Sequence, residues 1–232
     1  MMFEALASSS AGNAYVVSDK ETRVLLECGI SHSKLQKLSG FKLSEFQACL
    51  VSHEHKDHAK SVQELIERGM AVYMSQGTAE ALKTDGTELI GHMEQFNVGS
   101  LDIVPFTTFH DAREPLGFLI KSRVDGDVLA FATDTVNLRY KFPGLNILAI
   151  EANYDKNILE RCERMPEKVR YRISNAHMEI DTLCDYLRGL DLSRCREIHL
   201  LHLSDATSHE GHFINKVSRA VPKGIEITAC KK

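Results

Sequence analysis

Three histidines and an aspartate fall within six positions of the stretch Val51-Ser52-His53-Glu54-His55-Lys56-Asp57-His58. Imidazole nitrogens and carboxylate oxygens are the donors that zinc, manganese and iron accept, so this spacing points to metal chemistry. The apolar run Ala48-Cys49-Leu50-Val51 precedes the cluster and reads as a short buried strand over 48–52. In extended backbone, side chains two apart point the same way, so His53 and His55 can share one ion. Asp57 and His58 come after the chain has turned, which suits a second ion close to the first. The plain alternative is a solvated polar loop, which does not explain why four ligand-type residues occupy these positions.

Other candidates lie just past expected strands. His110 follows Val104-Pro105-Phe106-Thr107-Thr108-Phe109, where it can be a third ligand of the His53/His55 ion or a structural histidine. Asp134 ends Ala130-Phe131-Ala132-Thr133, where it can bridge two ions through its two oxygens or close an Asx turn before Thr135. His202 ends Glu197-Ile198-His199-Leu200-Leu201. Alternation puts it on the face of Ile198 and Leu200, with His199 on the other. His32, His92, His209 and His212 have no partner pattern and read as surface residues.

The elements that must position these residues are legible as apolar runs between turn residues. Strands are expected at 2–6, 14–17, 23–27, 48–52, 71–74, 101–106, 117–124, 128–133, 146–151, 197–202 and 225–229. Helices are expected at 34–38 (capped by Ser31), 60–68 (ended by Gly69), 78–83, 156–163, 179–187 and 210–220. Ser8 to Asn13 reads as a polar turn, and Asp125-Gly126 as a hairpin turn. No repeat or linker divides the 232 residues, so a single domain over 1–232 is expected. Two successive sets of strands and helices suit an α/β (α+β) architecture of two sheets packed face to face with helices outside.

Composition narrows the function. No run of 18 or more apolar residues is present, so no membrane-spanning segment is expected, and Met1-Met2-Phe3-Glu4 does not read as a secretory signal. The six cysteines form no C-x-x-C pair and read as buried thiols of a cytoplasmic protein. A net charge of −4 gives no global attraction to nucleic acid. One local surplus stands out: between Lys156 and Arg172 six basic residues face three acidic ones. It either tracks a phosphate backbone or is a solvated helix face, and composition does not separate the two.

The HxHxDH block resembles the signature of the metallo-β-lactamase superfamily. Further matching pieces are Ser9-Ser10-Ala11-Gly12-Asn13, Phe109-His110-Asp111, Ala132-Thr133-Asp134-Thr135, Glu151-Ala152-Asn153 and His202-Leu203-Ser204. Together they resemble the YycJ/WalJ-type exonuclease branch, which is related to ribonuclease Z. The resemblance implies a four-layer αββα sandwich of two mixed sheets flanked by helices. It implies two divalent ions, zinc first, with manganese or iron as alternatives. His53, His55 and His110 would hold one ion; Asp57, His58 and His202 would hold the other, with Asp134 bridging. Glu151 and His177 resemble the glutamate–histidine dyad of ribonuclease Z-type phosphodiesterases, in which the histidine protonates the leaving oxygen; alone, His177 also fits an ordinary helix start. Asp57 would steer the nucleophile as well as bind metal.

The implied activity is a phosphodiesterase or exonuclease acting on nucleic acid through a metal-bridging hydroxide, with no membrane and no obligate protein partner. A small-molecule thioesterase or lactonase of the glyoxalase II kind would use the same metal set without the dyad. A non-catalytic metal-binding module would not need seven complete ligands. Two departures from the branch's pattern are visible. Glu27-Cys28-Gly29 stands where an aspartate usually precedes the glycine, and Ala176-His177-Met178-Glu179 replaces a more typical Gly-His-Leu-Ser.

Overall fold

The apolar runs fold as their periodicity dictates. The computed structural model describes residues 1–230. Two compact units emerge, one of Met1–Thr107 with Ala112–Val128, the other of Thr108–Asp111 with 129–230.

The first unit opens with β1 (Met2–Ala7), β2 (Ala14–Ser18), β3 (Arg23–Leu26), β4 (Ala48–Leu50), β5 (Ala71–Met74) and β6 (Glu88–Leu89), which form a six-stranded sheet in that order. β1, β2 and β3 run antiparallel, then β3 to β6 pair in parallel, so the sheet is mixed. Val24 to Leu26 and Ala48 to Val51 are wholly buried, as expected of central strands covered on both faces. One face carries Val16, Leu25, Cys49 and Val72 against Leu35 of α1 (His32–Leu38) and Val62 and Leu65 of α3 (Val62–Glu67). Ser31 caps α1 by accepting from the Lys34 amide, as expected from its place before the helix. The helix expected over 60–68 is narrower, because the turn carrying the ligand candidates forms its own short helix, α2 (Lys56–Ala59). After α4 (Gln76–Leu82), the strands β7 (Phe96–Val98), β8 (Leu101–Thr107) and β9 (Leu116–Ser122) form an antiparallel set. Pro105 is tolerated in β8 because β7 pairs only as far as Ile103, leaving that edge without a partner strand there.

The second unit is built on four parallel strands: β10 (Val128–Ala132), β11 (Ile147–Glu151), β12 (Glu197–Leu201) and β13 (Glu226–Ala229). All five residues of β11 are buried. Its helices are α5 (Lys156–Glu160), α6 (Glu167–Ala176), α7 (Ile180–Arg188) and α8 (Glu210–Ala220). Two features depart from expectation: α5 stops at Glu160 rather than reaching 163, and α6 was not anticipated. α6 buries only Ala176, while Val169 and Tyr171 are exposed, so it has no apolar stripe to read. Among the described residues no helix is long and apolar enough to cross a membrane.

Candidate metal centre

In the first unit the strand ends at Leu50, and Val51 to His53 continue extended before the chain turns into α2. The Nε2 of His53 lies 3.1 Å from the Nδ1 of His55. Two donors about 2.1 Å from a shared tetrahedral cation are about 3.4 Å apart, so this pair fits one ion. The other nitrogen of His53 lies 2.8 Å from the Ser52 hydroxyl, which fixes the ring.

His58 is fully buried. Its Nδ1 lies 3.4 Å from the carboxylate of Glu27, and its Nε2 lies 3.4 Å from Asp57 and 3.1 Å from the Asn13 amide. Glu27 also accepts from the Ser52 amide at 3.2 Å, so one buried carboxylate ties the loop's entry to its histidine. The glutamate that replaces the usual aspartate therefore still reaches the ring. Asn13 donates to the Asp57 carbonyl at 3.2 Å and accepts from Tyr15, whose hydroxyl meets Ser8. Gly29 packs so closely beneath this turn that a Cβ there would sit 1.6 Å from the Asp57 carbonyl oxygen, which only glycine allows.

In the second unit, His110 follows β8 by three residues. Its Nδ1 donates to the Ala176 carbonyl at 2.7 Å, which leaves Nε2 as the acceptor nitrogen, 3.5 Å from Asp134 and 3.2 Å from Asp111. Asp134 accepts from the Thr133 hydroxyl at 2.8 Å and lies 2.8 Å from the Nδ1 of His202. Asp134, Glu151, His177 and His202 each offer a ligand-type atom, all within 4.8 Å of one another.

Glu151 is completely buried, at the end of β11. One of its oxygens faces His177 Nδ1 at 2.7 Å and His202 Nδ1 at 3.2 Å. The other accepts from the Thr135 amide at 2.8 Å and the Met178 amide at 3.1 Å. These four contacts occupy the roughly four lone-pair directions of a carboxylate. Burial works against charge on both Glu151 and His177. Their mutual contact outweighs it, holding the Glu151 carboxyl below its ordinary range and the His177 imidazole above.

The structure thus gathers His53, His55, Asp57 and His58 on the loop and short helix α2 of the first unit, and in the second it places His110, Asp134, Glu151 and His202 at or just past strand ends and His177 at the end of α6. His199 instead pairs with Glu197 at 3.1 Å, and His92, His209 and His212 are exposed, as expected. Asn13 and Thr135 stand in the motifs that carry the resemblance and Ser52 at the end of an expected strand, but their use as supports shows only in the contacts of Asn13 with His58, Thr135 with Glu151 and Ser52 with His53.

A family model described as a β-lactamase superfamily domain matches residues 22–200. The exodeoxyribonuclease YycJ of Bacillus anthracis is 28% identical over 222 residues, covering 87% of this chain and 82% of that protein. Among solved structures, zinc-bound PqqB of Methylobacterium extorquens aligns with a TM-score of 0.75 at 14% identity, over 100% of this chain and 98% of that one. The metallo-β-lactamase fold protein YhfI of Bacillus subtilis aligns with a TM-score of 0.73 at 16% identity, over 99% and 96%. The mixed sheet, the ligand-rich strand ends and these alignments agree on one identity: the chain is a metallo-β-lactamase-fold member of the β-lactamase superfamily domain family.

Proposed function

We propose that this chain is a metal-dependent phosphodiesterase that degrades nucleic acid as an exonuclease. The observation that carries this reading is the Glu151–His177 contact at 2.7 Å, on a carboxylate buried completely and held by two backbone amides. A thioesterase has little use for a leaving-group acid, because a thiolate leaves readily. A nucleoside alkoxide leaves poorly unless it is protonated. The similarity to a protein named exodeoxyribonuclease supports the same substrate class.

In this reading His53, His55 and His110 would hold one divalent ion and Asp57, His58 and His202 another, and Asp134 would serve as a ligand to the pair. The mixed imidazole and carboxylate set suits zinc, with manganese or iron as alternatives. Bound ions of this kind lower the pKa of water and take up charge on phosphate oxygens. The chain's own residues do the rest. Ser52 fixes the ring of His53 and the Ala176 carbonyl that of His110, while the Glu27 carboxylate lies 3.4 Å from His58. Asp57 orients the attacking water, and Glu151 turns His177 so that its Nε2 can deliver a proton to the leaving oxygen. The family model spans residues of both compact units, which supports reading 1–232 as one catalytic domain, and the free, mostly buried cysteines are consistent with a reducing, cytoplasmic location.

The test is digestion of 5′- and 3′-labelled single- and double-stranded DNA and RNA with zinc, manganese or iron added, beside a thioester substrate. Stepwise release of nucleotides from one end supports the proposal. Thioester turnover without cleavage of any nucleic acid would sink it in favour of the small-molecule hydrolase.

A further inference from the structure

In the second unit the chain between β10 and β11 runs from 133 to 146 and carries Asp134 of the proposed centre near its start. Because β10 and β11 are parallel, this connection must travel the length of the strands, away from the centre's end. No acidic residue lies between Asp134 and Glu151, while Arg139 and Lys141 stand two positions apart. Burial alternates along the stretch. Leu138 and Phe142 are buried and Tyr140 is half-buried, whereas Arg139 and Lys141 are exposed. In an extended chain that alternation sends the apolar side chains to one face and the cations to the other. The apolar face is fixed in place: the Tyr186 hydroxyl of α7 donates to the Tyr140 carbonyl at 2.7 Å, and the Tyr140 and Phe142 rings stack at 6.2 Å. The connection is a docked strip that holds two cations outward.

Arg139 is held by a ring. Its guanidinium lies over Phe109, 4.7 Å from the ring centroid. A carboxylate partner would consume the donors of the fork, whereas a ring against its flat face leaves the N–H edge open to a phosphate. Among the described residues neither Arg139 nor Lys141 has an acidic partner. Acids of the neighbouring elements are already engaged, Asp111 with Arg172 at 2.9 Å and Asp185 with Arg188 at 2.5 Å. Phe109, 37% exposed, is tied to the centre's own backbone. Its amide donates to the Thr135 hydroxyl at 3.0 Å, its carbonyl accepts from the Val136 amide at 2.9 Å, and His110 follows it in the chain. The basic surplus between Lys156 and Arg172 lacks this freedom: Lys156 lies 3.9 Å from Glu160, Arg170 donates to two carbonyls and Arg172 pairs with Asp111.

We infer that the exposed face of this strip binds the phosphate backbone of a nucleic-acid strand beside the proposed centre, with Arg139 forking onto one phosphate and Lys141 meeting another. Phe109 acts through Arg139, as the platform that orients it. The inference rests on the nuclease reading for its setting, but the binding itself requires neither metal nor hydrolysis. Contacts of this kind are electrostatic and therefore leave a signature in the salt dependence of affinity.

The experiment measures binding of a fluorescein-labelled oligo(dT) to the full chain by anisotropy over a series of salt concentrations, with chelator present so that nothing is cleaved. Each phosphate contact on a single strand adds about 0.7 to the slope of log affinity against log salt. Arg139→Ala and Lys141→Ala should each lower that slope by about 0.7 and weaken binding about 5-fold at about 0.1 M salt. Arg139→Lys should keep the slope, because the charge remains. Phe109→Leu removes no charge, so affinity should fall about 2- to 5-fold at the wild-type slope. Lys223→Ala, at an exposed cation elsewhere in the second unit, should change neither. Unchanged slopes in Arg139→Ala and Lys141→Ala overturn the inference, as does an equal drop in Lys223→Ala, which would reduce the effect to net charge. Wild-type affinity in Phe109→Leu overturns the part given to the ring. Displacement of the strand by inorganic phosphate at equal phosphate concentration would make the strip a free-anion site and overturn the strand reading. If the slopes fall as expected while wild type cleaves no nucleic acid with any metal, the nuclease reading fails and the strip stands.

Discussion

Three side chains of the site have backbones in the left-handed region, where residues other than glycine are rare: Glu27 at φ 65°, Asp134 at φ 41° and His202 at φ 52°. Each sits one or two positions past a strand end: Glu27 after β3, Asp134 after β10 and His202 after β12. Such strain costs about 1–3 kcal/mol per residue and persists where surrounding contacts over-determine it. Here those contacts are visible: Glu27 to Ser52 and His58, Asp134 to Thr133 and His202, and the His202 carbonyl to the Asn153 amide at 2.8 Å. The ligand candidates themselves were legible in the sequence because metal donors are few in kind and the HxHxDH spacing is local. Their supports were legible only as motif positions, Asn13 in Ser9–Asn13 and Glu27 before Cys28-Gly29, because the partners they hold lie 25 to 45 residues away in the chain. The same scale gives a test of the dyad. If His177 is the acid, removing it should hurt most where the leaving group is poor. His177→Ala should keep its metals and lose roughly 10²–10⁴-fold on DNA or RNA, but far less on bis(p-nitrophenyl) phosphate, whose p-nitrophenolate needs no proton. Glu151→Gln should show a milder version. Equal losses on both substrates would mean that His177 positions substrate rather than protonating it, and loss of a metal would make it a ligand.

Elements were legible where burial imposes a period. β4 and β11 are continuous apolar runs, and α7 repeats Ile180, Leu183, Cys184 and Leu187 on one buried face. β6 and β7, of two and three residues, are too short to carry a pattern, and α6 carries none because it buries almost nothing. What joins elements was also hidden. Asp19, in the turn between β2 and β3, accepts from the Ser100 hydroxyl at 2.7 Å and the Ser122 hydroxyl at 2.6 Å, and from the Glu21 and Thr22 amides. It thereby ties that turn to one end of the β8–β9 pair, where the start of β8 lies beside the end of β9. Burial alone would raise its pKa, but these hydrogen bonds outweigh it and lower the carboxyl to about 2. A depressed folded pKa contributes stability that is fully present above the unfolded value of about 3.9 and is lost as pH falls towards about 2. After allowance for solvent screening, this amounts to about 1–2 kcal/mol. Urea unfolding of wild type and Asp19→Asn should therefore converge by that amount between about pH 5 and pH 2. Parallel curves across that window would show that the charge on Asp19 contributes nothing.

At the scale of the whole molecule, the decisive link is between metal and folding. The proposed ligand set takes residues from 53 to 202, and the family model spans most of the same interval. The sequence resemblance made that set nameable in advance, because the donors recur in fixed local motifs, but their spread along the chain has a thermodynamic consequence that motifs do not express. An unfolded chain cannot hold donors so far apart in sequence around one ion, so binding energy becomes folding energy. At free metal about 100-fold above the dissociation constant, one site adds about 2.7 kcal/mol. Two sites together add about 5.4 kcal/mol, which for a chain of this size raises the melting temperature by roughly 10–20 °C. Calorimetry of chelated and zinc-loaded protein should show this rise within a single transition, as one domain requires. In Asp134→Asn the neutral amide no longer offsets the repulsion between two cations, so metal analysis should find at least one ion lost and the thermal rise cut by about half. The fold without metal should melt as wild type does within a few degrees, which separates a lost ligand from a damaged core. Full metal content with an undiminished rise in Asp134→Asn would remove that residue from the centre. Two transitions, only one of them moved by zinc, would overturn the single-domain reading together with the shared ligand set.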